Sequence, residues 1–323
     1  MTEKTLAELG ESESLRLTIG RLIKGDYALV GPGDDAAVVK SQDGRFVVTT
    51  DTMIEGHDFR LDWSTGFDLG YKAVATNVSD VAAMGAKPTA LVVSIALPET
   101  TKISWLEAFA DGLNAAITEL VSGASVVGGD LARSEKVFIS VSAHGDLEGR
   151  EPVLRSGAKP GDVLAIAGTL GKAAAGLDLL LAGGSAPSAF DDLVQIQLRP
   201  SPPVEMGVEG ALAGATSMLD VSDGLVKDAS RIAKASGVSV VLNKSNLLGF
   251  AAVLDQAGLR LERDPLDWVL YGGEDHSLLA TFPPSVVLPK GFKQIGLVAE
   301  SKADLVYLDD VSLRVSGWDS ITG

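Results

Sequence analysis

Short apolar runs rich in β-branched residues alternate with segments of helical period along nearly the whole chain, and this alternation restricts the fold more than any other feature. The run RFVVTTD reads as a strand that ends at Asp51. In FDLGYKAVATNVSDVAAMGA the apolar residues Leu69, Ala73, Val74, Val78, Val81 and Met84 recur near the helical period, with Gly85 and then Pro88 as the stop. Asp80 therefore falls near the last turn of that helix. A helix is expected from about Leu6 to Ile23, strands over TALVVSIALP and KVFISVSAHG, and an amphipathic helix over SWLEAFADGLNAAITELV. ASVVGGD reads as a short strand broken by two glycines before Asp130. Strands and helices in this order must be layered against one another, which defines an α/β or α+β core.

At 323 residues the chain is long enough for two ordinary domains with substantial cores. EGREPVLRSGAKPGD, from Glu148 to about Pro160, concentrates turn residues and charge between apolar segments, so the boundary is expected there, with domains over 1–149 and 150–323. In the second half VLAIAG is a strand feeding the helix KAAAGLDLLLAGG, and SMLDVSDGLVKDASRIAKAS is a strand end entering a helix. SVVLN, FKQIGLVAE, LVYL and VSLRV are further strands, GGSAPSAFDD is a surface loop, and RPSPPVEMG is a proline-marked turn into a helix. No short-period repeat and no low-complexity tract interrupts this order.

Forty-three acidic residues against 27 basic ones give a formal charge of -16, which argues against a phosphate-backbone binder and leaves room for a cation site. Nucleic acid is not an expected partner. With no cysteine, disulfides, thiolate metal sites and cysteine nucleophiles are excluded. MTEKTLAELGESESL lacks the basic flank and apolar run of a secretory signal, and no stretch approaches the roughly 18 apolar residues of a membrane span, so a cytoplasmic protein is expected.

Asp35, Asp51, Asp80, Asp130, Asp220 and Asp223 each follow a strand or helix at a break marked by Gly, Ser or Thr. Any one of them reads equally as a helix cap or turn residue. Their recurrence points further: two carboxylates about 4 Å apart repel by roughly 4 kcal/mol at an effective dielectric near 20, so convergence demands a cation or raised pKa values. Magnesium suits such oxygen donors, and it often bridges to substrate phosphates. Glycines in GPGDD, VVGGD and YGGED would let backbone amides approach phosphate oxygens closely. GTLGKAAAG is not a Walker loop, because Gly168 and Gly171 are too close and Ala173 stands where a hydroxyl should follow Lys172. No GxGxxG follows a strand, and no G-x-S-x-G elbow is present.

His57, His144 and His276 lack zinc-ligand spacing, and of the three His57 in DTMIEGHDF is the one that suits a substrate contact. Trp63, Trp105 and Trp268 fit packing roles. Trp318 in SGWDS either covers a flat ring or clasps the tail.

The ordered set GPGDDAAVV, TTDTMIEGHDF, NVSDVAAMGAKP, VVGGD, LRSGAKPGD, LDVSDGLVKD and YGGED resembles the thiamine-monophosphate kinase family, within the superfamily of aminoimidazole ribonucleotide synthetase, from about Gly10 to Trp318. The resemblance implies direct, in-line transfer of the γ-phosphoryl group of ATP to thiamine monophosphate, assisted by several magnesium ions. It also implies an N-terminal α+β domain whose sheet pairs with a second subunit's to form a barrel, hence a homodimer, and a C-terminal α/β domain. Carried over motif by motif, Asp35, Thr49, Thr50, Asp51, Asp80, Asp130, Asp220 and Asp223 would hold magnesium, with Asp51, Asp80 and Asp130 central to catalysis. Gly129, Asp130, Arg155 and Ser222 would bind ATP, and Glu274 and Trp318 the thiamine moiety. The family pattern EGxHF reads EGHDF here, so His57 and Asp58 both stand as substrate candidates.

Within the superfamily, selenophosphate synthetase and the hydrogenase maturation dehydratase call for cysteine or selenocysteine that this chain lacks. Aminoimidazole ribonucleotide synthetase is the enzyme alternative, and a catalytically silent nucleotide or magnesium binder on the same scaffold is the non-enzyme one.

Overall fold

A computed structural model describes residues 4–30, 37–183 and 188–318. The chain divides into two compact units, Met1–Val81 with Ala86–Gly149, and Ala82–Gly85 with Arg150–Gly323. Among the described residues no helix is long and apolar enough to cross a membrane.

The first unit is built on a four-stranded sheet in the order Val47–Ile54, Phe138–Asp146, Lys87–Leu97, Ser125–Arg133. The last pair is parallel and the others are antiparallel. Alternation along these strands sends Ile139, Val141 and Ala143 with Leu91, Val93 and Ile95 into a core, while Val48, Ile54 and Phe138 lie exposed on the opposite face. The helices Gly66–Ala83 and Ile103–Leu120 supply the other wall of that core. Thr65 and Asp68 start the first helix reciprocally: Asp68 N donates to Thr65 Oγ1 at 3.2 Å, and Thr65 N to Asp68 Oδ2 at 2.9 Å.

Glycines let the two helices touch backbone to backbone. A Cβ built on Gly70 would lie 2.0 Å from the Phe109 carbonyl oxygen, and one on Gly112 would lie 2.0 Å from that of Phe67. Three expectations change in this unit. The N-terminal helix is two short helices, Leu6–Leu9 and Glu11–Ile19, separated at Gly10, whose φ of 75° no continuous helix accepts. Pro88 does not stop the long helix but lies inside the following strand, opposite Gly145. The glycines of VVGGD do not break their strand, which runs unbroken from Ser125 to Arg133.

The second unit carries a seven-stranded sheet in the order Val311–Ser312, Val306–Leu308, Ser239–Leu242, Phe292–Ala299, Val163–Ala167, Ser277–Phe282, Ser217–Val221. Only Val306–Leu308 with Ser239–Leu242 is a parallel pair. Its main core joins Leu164, Ile166, Leu219, Leu279 and Ile295 of the sheet to Val226, Ala229 and Ile232 of the helix Leu225–Ser236. That helix ends at Gly237 in the left-handed conformation, a common helix stop. The strand Ser277–Phe282 and the helices Lys244–Ala252, Asp255–Leu261 and Pro265–Tyr271 add to the expected elements, and the helix Asp191–Leu198 begins inside GGSAPSAFDD, expected as a loop.

The helix contact at Gly112 gives a stability test. Gly→Ala in a helix interior ordinarily gains up to about 1 kcal/mol, whereas forcing a methyl into a filled contact costs about 1–3 kcal/mol. Gly112→Ala is therefore expected to lower the thermal midpoint. Gly249→Ala, on an exposed helix with nothing within 4 Å of the added methyl, should raise it slightly. Calorimetry of both variants checks the opposite signs.

Candidate active site

In the first unit the candidate groups separate onto the two edge strands of the sheet. Thr49, Thr50 and Asp51 lie on Val47–Ile54, with Asp51 in mid-strand rather than at the strand end, because pairing with Phe138–Asp146 continues to Ile54. Asp80, in the last turn of the helix Gly66–Ala83, accepts a hydrogen bond from Thr49 Oγ1 at 3.0 Å. Asn77, one turn earlier, accepts from Asp51 N at 3.1 Å. Helix and strand are thus tied where three of the candidates sit. Thr50 points to the other face, where its hydroxyl donates to the Val141 carbonyl at 2.9 Å.

Gly129 and Asp130 lie on the far edge, Ser125–Arg133. Registers align Asp51 with Val141, Val93 and Gly129, and three strand spacings place the two edges roughly 14 Å apart. Asp130 belongs to the adjacent row, and alternation sends it to the other face from Asp51. Gly129 must be glycine, since a Cβ would meet the Val93 carbonyl oxygen at 2.1 Å. Beside it opens an apolar pocket walled by Ile95, Phe109, Leu113 and Leu22. Asp35 lies outside the described residues.

His57 and Asp58 share the turn after the strand. Asp58 Oδ2 accepts from Ile54 N at 2.8 Å, and Asp58 Oδ1 lies 3.1 Å from His57 Nδ1. Asp58 therefore shapes the turn while His57 stands exposed. His144 is half-buried, and that burial pushes its pKa down.

The second unit gathers its candidates around Gly272–His276. Glu274 N donates to the Ser222 carbonyl at 2.9 Å, and His276 N to that of Val221 at 3.0 Å. His276 Nδ1 lies 3.2 Å from Asp220 Oδ2, with both residues buried. Glu274 and His276 hold φ of 66° and 49°, a left-handed conformation that costs a non-glycine residue on the order of 1 kcal/mol or more. Between them the fully buried Asp275 accepts from Thr169 Oγ1 at 2.6 Å and Gly171 N at 2.8 Å, with further amide donors at Lys172 and Ala173. Burial pushes its carboxyl up to about 6, against the pull of these donors. The amides opening the helix Lys172–Leu181 are thus taken by a protein carboxylate, which is the physical reason GTLGKAAAG is no phosphate loop.

Asp223 is bound on every side. Its carboxylate pairs with Arg231 and lies 3.1 Å from Lys227 Nζ, and its carbonyl accepts from Trp318 N at 3.1 Å. Lys227 Nζ also donates to the Trp318 carbonyl, so the candidate ring-covering Trp318 is pinned to the turn that carries a candidate metal ligand. Behind them Asp228, pushed up to about 7 by burial, pairs with Arg231 and accepts from Asp223 N at 3.0 Å. Arg155 is exposed, and its carbonyl accepts from Ser236 Oγ at 3.4 Å. Among the described residues no three acidic or histidine side chains stand close enough together to hold a metal ion.

Two residues not singled out in the sequence belong to this architecture, Asp275 and Gln197. The amide Nε2 of the buried Gln197 donates to Glu274 Oε2 at 2.5 Å. Its spacing four residues after Leu193, on an otherwise inward helix face, is the signal that marks it.

The four-stranded sheet with acids and glycines on its edges lies in a domain of the AIR synthase type. The family model described as AIR synthase related protein, N-terminal domain, matches residues 33–147. The thiamine-monophosphate kinase of Mycobacterium tuberculosis (strain ATCC 25618 / H37Rv) is 43% identical over 320 residues, covering 98% of this chain and 93% of its own. That of Corynebacterium glutamicum is 38% identical over 323 residues, covering 98% and 95%. A solved structure described as AaThiL complexed with AMPPCP and TMP is 31% identical with a TM-score of 0.76, covering 98% of this chain and 99% of that one. The chain belongs to the thiamine-monophosphate kinase family and is an enzyme of that family.

Asp275 is expected to act on the fold. Asp275→Asn leaves one oxygen where several amides and a hydroxyl now donate, and each lost partner costs about 1–3 kcal/mol in a buried site. Urea denaturation should show a loss of that order. Lys172→Ala, at the same helix start but outside the carboxylate's side-chain contacts, should leave the midpoint nearly unchanged.

Proposed function

We propose that the chain transfers the γ-phosphoryl group of ATP to the phosphate of thiamine monophosphate, yielding thiamine diphosphate and ADP. The observation that carries this reading is similarity to thiamine-monophosphate kinases over essentially the full chain, 43% identity over 320 residues with that of Mycobacterium tuberculosis. The likeness to a structure holding AMPPCP and TMP supports ATP and thiamine monophosphate as the two substrates.

The donors in each unit suit magnesium. Thr49, Thr50, Asp51, Asp80, Asp130, Asp220 and Asp223, with Asp35, offer oxygen only, the chemistry a small hard cation takes. Thr49 Oγ1 lies 3.0 Å from Asp80 Oδ2, and such a partial shell is ordinarily completed by substrate phosphates and water. Magnesium bound there would neutralise the charge gathered between two phosphate-bearing substrates. The protein's own part is placement. Asn77 and Asp80 fix the strand that carries Asp51, and Gly129 admits a close backbone approach beside Asp130, where the apolar pocket suits a nucleobase. Arg155 and Ser222 serve ATP, and direct transfer needs no protein nucleophile. For the acceptor, Glu274 offers negative charge and Trp318 a flat face to the thiamine rings, with His57 and Asp58 at the other candidate contact.

The acids on the two edges of one sheet stand too far apart to share a ligand shell. This supports a homodimer in which a second copy's sheet pairs with the exposed face bearing Val48, Ile54 and Phe138.

The purified protein is expected to form thiamine diphosphate from thiamine monophosphate and ATP only with magnesium present, and to leave free thiamine unphosphorylated. Absence of thiamine diphosphate under these conditions would overturn the reading. Asp51→Asn and Asp130→Asn, both exposed, should each lower kcat at least a hundredfold, while stability stays within about 0.5 kcal/mol. Equal losses of activity and stability would make them structural.

A further inference from the structure

The helix Asp191–Leu198 lies hard against Lys172–Leu181: a Cβ on Gly176 would stand 2.2 Å from the Leu193 carbonyl oxygen and 3.1 Å from Gln197 Cβ. Gln197 is therefore held by packing, and only 5% of it is exposed. Its amide Nε2 reaches Glu274 Oε2 at 2.5 Å. The backbone of Glu274 is fixed independently, by its own N–H on Ser222, that of His276 on Val221, and the Asp275 carboxylate at the helix start. With the backbone set, the direction of the carboxylate depends on what its oxygens meet, and Gln197 is a donor that cannot move.

The choice of donor matters. A lysine or arginine in this place would orient Glu274 with a positive charge of its own, whereas a neutral amide orients it and adds none. A carboxylate aimed in this way serves a cation, not a phosphate. We propose that Gln197 is a positioning residue which, through Glu274, sets the affinity for a cationic ring on the phosphoryl acceptor; the role rests on the kinase reading above.

The experiment uses the full chain and steady-state kinetics for both substrates, with thermal midpoints measured alongside. Gln197→Met keeps the side-chain length and removes the donor. It is expected to raise KM for thiamine monophosphate about tenfold, the scale of a hydrogen bond to a charged group, with kcat and KM for ATP within twofold. Gln197→Glu, nearly isosteric, should raise that KM further, because it sets a second carboxylate against Glu274. In a Glu274→Gln background, Gln197→Met should add little, since both changes act through one contact.

A Gln197→Met protein with wild-type KM for thiamine monophosphate would overturn the proposal. So would full additivity with Glu274→Gln, or a parallel rise in KM for ATP, either of which marks a packing role. Should Gln197→Met fail to fold, Gln197→Glu carries the same test, and an unchanged KM there is equally fatal. A wild-type protein that makes no thiamine diphosphate sinks the kinase reading and this proposal with it. Wild-type turnover with unaltered variants sinks the proposal alone.

Discussion

A carboxylate almost wholly shut off from water survives in a protein only when donors surround it, and Asp275 is such a group in the second unit. Its acceptors collect the first amides of one helix and the Thr169 hydroxyl from the loop before it. That loop joins the strand Val163–Ala167 to the helix Lys172–Leu181, and the residues beyond Asp275 enter the neighbouring strand, Ser277–Phe282. A single side chain therefore locks a helix end, a loop and a strand start in one register. Glu274 and His276, its immediate neighbours, are placed by the same lock, one toward Gln197 and the other toward Asp220.

The first unit solves its placement problem with the sheet. Edge strands tolerate exposed acids because one side of each is unpaired, and here both edges carry them, Asp51 on one and Asp130 on the other. The helix Gly66–Ala83 fixes the first edge through Asn77 and Asp80. Close backbone contact fixes the second, with Gly129 lying against Val93. The helices on the buried face meet backbone to backbone at Gly70 and Gly112, which leaves little slack between them.

Much of this was legible in the sequence, and the failures have particular causes. Alternation and helical period located most strands and the long helices, and the acidic motifs marked their positions because Asp with Gly or Ser is rare in a strand without a reason. Asp51 read as a strand terminator because aspartate disfavours strands, yet on an edge strand its side chain meets solvent and pairing continues to Ile54. The glycines of VVGGD read as a break because glycine weakens strands, but Gly129 answers the Val93 backbone, which leaves no room for a Cβ, while Gly128 has open space where a Cβ would stand. SLLATF carries no strand alternation because all six of its residues are buried, and burial on both faces erases the pattern a half-exposed strand would show. Asp275 and Gln197 stayed hidden for a similar reason: a polar residue inside is announced only by its partners, and partners more than 70 residues away leave no local pattern.

The strain at Glu274 and His276 connects these points. Gly272 and Gly273 stand just before them, and glycine at 274 and 276 would adopt the same left-handed backbone without penalty. Glutamate and histidine there cost the fold on the order of 1–3 kcal/mol each, so the conformation persists only because the surroundings over-determine it. The backbone bonds to Ser222 and Val221, the buried Asp275 between them, and the side-chain contacts to Gln197 and Asp220 supply that over-determination. The strained loop holds one carboxylate in a fixed direction, as the proposed recognition of a cationic ring requires.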